Sequence, residues 1–326
     1  MNFILEYFTS LNPMNFLSAL PGNIAQGIIW GIMALGVFIT FKLLNFADLT
    51  VDGSFATGGA VTAMMLIAGA PAWLAVTVAF AAGIIAGLVT GLLHTVLGIP
   101  DILAGILTQI ALYSINLNIM GQANRPINAN KFVLLLSLRD ITMAIIVGLC
   151  FAGVLVCLMY WYFGTEQGSV IRATGSNPKM ATAQGTNISF YKIVALALSN
   201  GVVALSGSLM AQYQGFSDIN MGRGAIVIGL AAVIIGQVIG EAVFRKHFNF
   251  IVKLIFVLLG GIIYYVVIGI VLWLKMPSED MKLFTAVIVA IFLAIPYLRG
   301  KSRNSFKRVA KLNKKEAVAQ EVEKDA

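Results

Sequence analysis

Long apolar runs broken by short polar stretches organise this chain. A helix rising 1.5 Å per residue needs about 20 apolar residues to cross the hydrocarbon core of a bilayer. Runs of that order occupy residues 20–44, 72–97, 102–120, 141–163, 193–213, 254–274 and 283–298. Two further runs, 53–70 and 225–240, are short and interrupted by Gly53, Gly58 and Gly59 and by Gly229, Gly236 and Gly240. Both read as broken or tilted spans. The pattern predicts an all-α polytopic membrane protein of about nine transmembrane helices, or eight to ten, because residues 1–19 could add a crossing. It divides the chain into an N-terminal segment (1–19), a transmembrane domain (20–298) and a basic tail (299–326).

Within the spans, Gly83, Gly87 and Gly91 form a GxxxGxxxG stripe suited to close helix packing. The run 102–120 is the most polar, with Thr108, Gln109, Ser114, Asn116 and Asn118. Polar groups at membrane depth need partners or water. Hydrogen bonding between helices is one reading; Gln109, Asn116 and Asn118 lining a hydrophilic pathway is the other.

Residues 164–192, GTEQGSVIRATGSNPKMATAQGTNISFYK, form a polar island between two spans. Asn177 followed by Pro178 reads as an N-cap and first helical residue, and Gly185 as the stop of a short helix. Arg172, Lys179 and Lys192 favour the cytoplasmic side.

The run RATGSNPKMATAQG resembles the cytoplasmic coupling segment of ATP-binding-cassette importer permeases of the branched-chain amino acid and ribose type. NFADLTVDGS (45–54) is similar to that family's Asp-Leu-Ser-Val-Gly-like run, and GLAAVIIG (229–236) to its Ala-Ala-Val-Ile-x-Gly stretch. The resemblance extends over roughly residues 20–298 and is nearest to permeases that work with binding proteins for aromatic amino acids. It implies that 164–192 holds the permease against a cytoplasmic ATPase subunit, through Arg172, Gly175, Asn177, Pro178, Ala181 and Gly185. It further implies an extracytoplasmic solute-binding protein, a permease homodimer, a bacterial inner-membrane location, and ATP and Mg on the partner ATPase rather than on this chain. An amino acid is the expected solute; a sugar or nucleoside is the alternative.

Composition agrees. The chain is 59% hydrophobic and 11% charged, with a mean hydropathy of +0.90, well beyond soluble domains. Its net charge of +8 does not point to nucleic acid, because nine of the 22 basic residues lie in the tail, where anionic lipid is the expected neighbour. With the tail inside, sixteen basic residues fall on the cytoplasmic side and six outside; Arg125, Lys131 and Arg139 are the outside cluster that runs against the rule. Cys150 and Cys157 lie about 10 Å apart along one helix, too far for a disulfide, and read as packing residues. His94 and His247 are isolated, and no Walker A, HExxH, GxSxG or metal-binding spacing occurs. An enzyme is not expected, and any hydrolysis must come from a partner.

A shift of 170 aligns residues 31–48 with 201–218, with identities at Gly31/Gly201, Ala34/Ala204, Leu35/Leu205, Phe46/Phe216 and Asp48/Asp218. Each Asp then precedes a short span. Copies five spans apart have opposite orientation, the inverted-repeat plan of transporters. Asp48 and Asp218 are therefore candidates either for helix caps or for gates on opposite sides of a pathway. An ion-coupled secondary transporter also fits the repeat. Such coupling uses intramembrane carboxylates, whereas the acidic residues here fall near predicted span ends.

Overall fold

A computed structural model describes residues 13–128, 131–244, 249–274 and scattered positions between 283 and 294. Membrane-length helices are α1 (Pro13–Phe38), extended by a π-helical turn (Ile39–Leu43), α3 (Ala72–Thr95), α4 (Asp101–Met120), α5 (Ile141–Gly164), α8 (Ile188–Gln214), α9 (Ala225–Val243) and α10 (Phe250–Trp273). Between them stand α2 (Thr50–Ile67), the short helices α6 (Glu166–Ser176) and α7 (Pro178–Ala183), and two three-residue strands, β1 (Asn124–Pro126) and β2 (Phe216–Asp218). Seven helices among the described residues are long and apolar enough to cross a membrane. The count of nine is not reproduced. Residues 53–70 form the shorter α2, and 283–298 lie mostly outside the described residues and belong to a second compact unit, Lys282–Ala326. The tail, residues 1–12 and His247 also lie outside the described residues. The first helix is already formed at Pro13, upstream of the apolar run that opens at Leu20.

Two buried helices, α1 and α8, cross at the centre. Ser199 Oγ donates to the Gly36 carbonyl and Ser206 Oγ to the Ile29 carbonyl, both at 2.7 Å. Ser199 stands 170 positions from Ile29, and Ser206 stands 170 from Gly36. The two residue pairs in contact are thus images of each other under the sequence repeat, although in both the serine of α8 is the donor and α1 supplies the carbonyl. The flanking packing is exchanged in the same way. α3 lies antiparallel on α8 through Gly83, Gly87 and Gly91, which meet Asn200, Leu196 and Ile193 in turn. α10 lies antiparallel on α1, with Gly261 against Gly31 and with Gly27 against Ile262. The third helix of each repeat therefore packs on the first helix of the other, so the inverted repeat is a property of the fold. The glycines let backbones touch where dispersion and polar contacts, rather than the hydrophobic effect, hold helices together.

Each serine is a buried donor from α8 to a carbonyl of α1, so Ser199→Ala and Ser206→Ala are each expected to cost about 0.6 kcal/mol. Thermal unfolding of the purified protein reads this, and an unchanged melting temperature in either variant would show that its bond adds no stability.

Cys150 and Cys157, expected to pack inside, are instead exposed on the outer face of α5, beside Leu149, Val154 and Leu158. In a membrane helix both faces are apolar, so hydrophobicity alone does not tell core from lipid. β1 pairs antiparallel with β2, matching Asn124 with Asp218 and Arg125 with Ser217. That pairing puts the loop carrying Arg125, Lys131 and Arg139 on the same side as 215–224, one helix length of α8 away from the polar island.

Candidate functional site

The polar island folds as two short helices at one end of the bundle. Thr165 caps α6 through Gly168 N–H. The Asn177 side chain accepts from Met180 N–H at 3.2 Å, and Pro178 takes the first helical position of α7, as the sequence predicts. Gly185 has φ +79°, and Gly185 N–H and Thr186 N–H donate to the Thr182 and Ala181 carbonyls, which closes α7 with a Schellman turn. Ala181 is buried and anchors the helix, while Lys179 and Met180 are exposed. Arg172 turns inward, with its guanidinium 5.8 Å from the centre of the Phe250 ring. The residues singled out from the sequence thus shape and seat the segment. Asn177, Pro178 and Gly185 are exposed as well, and Lys179 and Met180 share that outward surface with them.

Gly175 joins this segment to the end of the central helix α1. A Cβ on it would collide with the Leu43 carbonyl oxygen, so α6 rests directly on the π-helical turn that ends α1. From there residues 44–49, with Asn45 at φ 54°, turn back beside α8 to Asp48.

Asp48 is 2% exposed. One carboxylate oxygen accepts Thr50 N–H at 2.9 Å, where α2 starts, and the other accepts Nδ2–H of Asn200 at 2.7 Å. Asn200 in turn accepts from Ser54 at 2.7 Å. Asn200 lies midway along α8, so Asp48 is deep in the bundle and not near a span end, as the run boundaries suggested. Beside it the Thr50, Thr90 and Thr108 hydroxyls form a chain with spacings of 2.7 and 2.9 Å. For Thr108, helix-to-helix bonding is what the structure shows.

Asp218 has the matching first bond, from Asn220 N–H at 2.7 Å, but it sits in β2 and a turn separates it from α9. It does not cap that helix. Asp52, on the first turn of α2, does so from the other repeat, accepting Gly224 and Ile226 N–H groups at 2.9 Å each. The N-terminal ends of α2 and α9 therefore meet at one carboxylate, which complements both helix dipoles. The sequence reading missed Asp52; its place one turn after Asp48 at the head of a short span was the available signal.

Asp52 also borders a cavity of about 320 Å³ between α2, α4 and the turn 219–223, lined further by Gln109, Tyr113, Asn116 and Arg223. Asn116 is 0% exposed, and both of its amide atoms lack a hydrogen-bond partner. Gln109 and Asn116 are thus brought together, whereas Asn118 lies on the exposed face of α4. No group of three or more metal-ligating side chains occurs among the described residues.

These features, an inverted repeat with paired short helices and a short helix pair seated on the central helix, coincide with a family match. Residues 22–296 match the family described as branched-chain amino acid transport system / permease component. The chain belongs to this family of ABC-type permeases. The permease is 39% identical over 303 residues to the tyrosine transport system permease protein of Clostridioides difficile, covering 93% of this chain and 100% of that one. It is 25% identical over 240 residues to the D-allose transport system permease protein of Escherichia coli, 72% of each chain. It is 27% identical over 212 residues to the autoinducer 2 import system permease protein of Salmonella typhi, 64% of this chain and 59% of that one. No solved structure matches. As a permease with seven membrane-length helices among its described residues, the chain is a multi-pass inner-membrane protein and a transport subunit.

Proposed function

We propose that this permease, as a homodimer, imports an amino acid, with aromatic ones first, driven by a cytoplasmic ATPase pair that carries the ATP and Mg, and supplied by an extracytoplasmic binding protein. The observation that carries this reading is the contact chain from α6 to Asp48. A partner pressing on Lys179 and Met180 pushes α7, and α6, joined to it directly at Asn177, moves with it. Gly175 has no side chain to absorb that motion and passes it to Leu43. The turn 44–49 then pulls on Asp48, whose bonds to Thr50 and Asn200 fasten α2 to α8. Asp48 acts here as a latch as well as a cap. The cavity at Gln109, Asn116 and Arg223 offers a polar route beside the head of α2, where the unpartnered Asn116 amide can exchange hydrogen bonds with a passing solute.

The name of the tyrosine permease relative supports the amino-acid reading, and the D-allose relative supports a sugar as the second. Uptake of labelled L-tyrosine and D-allose into membrane vesicles expressing the whole system tests both. ATP inside is expected to drive L-tyrosine accumulation that an ionophore leaves intact. Accumulation that needs no ATP and collapses with the ionophore would make the protein an ion-coupled carrier.

A further inference from the structure

The fold's symmetry breaks at one point. In the first repeat, Asn200 holds the second oxygen of Asp48. Under the 170-residue shift, Asn200 corresponds to Trp30 and Asp48 to Asp218. Trp30 and Asp218 do border a common space, a cavity of about 260 Å³ between α1, α2, α8 and the turn after β2. Here the carboxylate is not taken up in the same way. Its second oxygen has only a long 3.4 Å contact from Asn124 Nδ2. Trp30 is 6% exposed and its indole N–H has no hydrogen-bond partner; the buried Oδ1 of Asn220, on the same cavity, has none either. A buried donor and a buried acceptor left unmatched each cost on folding unless something else pairs with them. The rest of the wall is mostly apolar: Phe55, stacked on Trp30 at 4.8 Å between ring centres, with Met210, Phe216 and Met221, and Gln214 as the one further polar side chain. The lining includes a carboxylate and no Lys or Arg, so it favours a cation.

We propose that this cavity is a subsite for an α-amino acid with an apolar or aromatic side chain. Its ammonium is held by Asp218 and Asn220 Oδ1, its carboxylate takes the Trp30 indole N–H, and its side chain lies on Phe55, Met210 and Met221. The proposal rests on the amino-acid reading above and adds where this chain itself recognises the solute. The turn 219–223 and the head of α2 divide this cavity from the one at Asn116, because Phe55 faces one and Ala56 the other. A solute bound at Asp218 therefore waits one wall away from the proposed route.

The test is binding of three labelled probes to the full-length permease in lipid nanodiscs: L-tyrosine, tyramine, which lacks the carboxylate, and 4-hydroxyphenylpropionate, which lacks the ammonium. Asp218→Asn preserves an acceptor for Asn220 N–H and is expected to weaken L-tyrosine and tyramine at least tenfold, with 4-hydroxyphenylpropionate unchanged. Trp30→Phe keeps a ring against Phe55 and is expected to weaken L-tyrosine and 4-hydroxyphenylpropionate severalfold, with tyramine unchanged. Wild-type binding of all three probes by both variants would mean that the cavity holds only water, and equal loss of all three would mean a structural effect; either overturns the subsite. No binding to the wild-type permease, while vesicles with the whole system still import L-tyrosine, overturns the subsite and leaves the amino-acid importer standing. Import of D-allose without L-tyrosine overturns the amino-acid reading, and the subsite with it.

Discussion

Replacing Gly175 with Val is expected to abolish ATP-driven uptake while the protein still inserts into the membrane and binds solute. The added side chain meets the Leu43 carbonyl oxygen and the Leu44 backbone, neither of which can rotate away as a side-chain tip could. Either α6 lifts off the π-helical turn or that turn deforms. Overpacking of this kind costs about 1–3 kcal/mol, which corresponds to roughly a tenfold to hundredfold loss in the population of the seated arrangement. Gly175→Ala tests the same contact with less bulk and is expected to fall between wild type and Val. Gly185→Val is the useful contrast. Its φ of +79° strains a β-branched residue, yet there is open space around it. It loosens the end of α7 by about 1 kcal/mol without touching Leu43. ATPase docking is then expected to weaken in Gly185→Val and to survive in Gly175→Val, where docking no longer reaches the pathway. Co-purification of the ATPase subunit, scored beside uptake, separates the two. Normal uptake in Gly175→Val would remove α6 from the transmission route.

What the sequence made legible follows the physics each residue answers to. Asn177, Pro178 and Gly185 act on their own backbone within a few positions, so α7 could be read with its cap and its stop. The Gly83, Gly87 and Gly91 stripe announced a close helix contact, but its partner, α8, is set by the tertiary fold. The repeat was visible as a handful of identities, and its physical content became clear in the paired Ser199 and Ser206 bonds, which no local pattern encodes. Asp52 escaped because its partners, Gly224 and Ile226, lie in the other repeat, far away along the chain. The cysteines were misplaced for a different reason: lipid and protein core are both apolar, so α5 carries no period that distinguishes them. The depth of Asp48 was hidden in a similar way. A re-entrant turn such as 44–49 looks, in sequence, like any break between spans.

The pair Asp48 and Asn200 allows a reciprocal test with a large expected effect. Asp48→Asn keeps an oxygen for Thr50 N–H but turns an NH₂ group toward the Nδ2 of Asn200. Two donors then face each other in a buried site. Asn200 can relieve this by flipping its amide, which reverses its bond with the Ser54 hydroxyl and breaks its bond to the Leu196 carbonyl. The lost charge-assisted bond is worth about 1.5–3 kcal/mol, with a further penalty for the groups left unpaired. Uptake is expected to fall at least tenfold, with the residual ATPase activity no longer responding to solute, because α2 is no longer fastened to α8. Asn200→Asp alone is expected to be worse, since it sets two carboxylates against each other in the buried site. Combining the changes should restore most of the function. In the double variant the amide now at position 48 donates to the carboxylate now at position 200, which also accepts from Ser54. Thr50 N–H still has its acceptor, and the cost that remains is at the Leu196 carbonyl, which then faces a carboxylate oxygen in place of a donor. A coupling energy well above 1 kcal/mol from the double-mutant cycle would establish the latch. Additive losses with no rescue would reduce Asp48 to the cap of α2, and transmission from α6 would then have to reach the pathway by another contact.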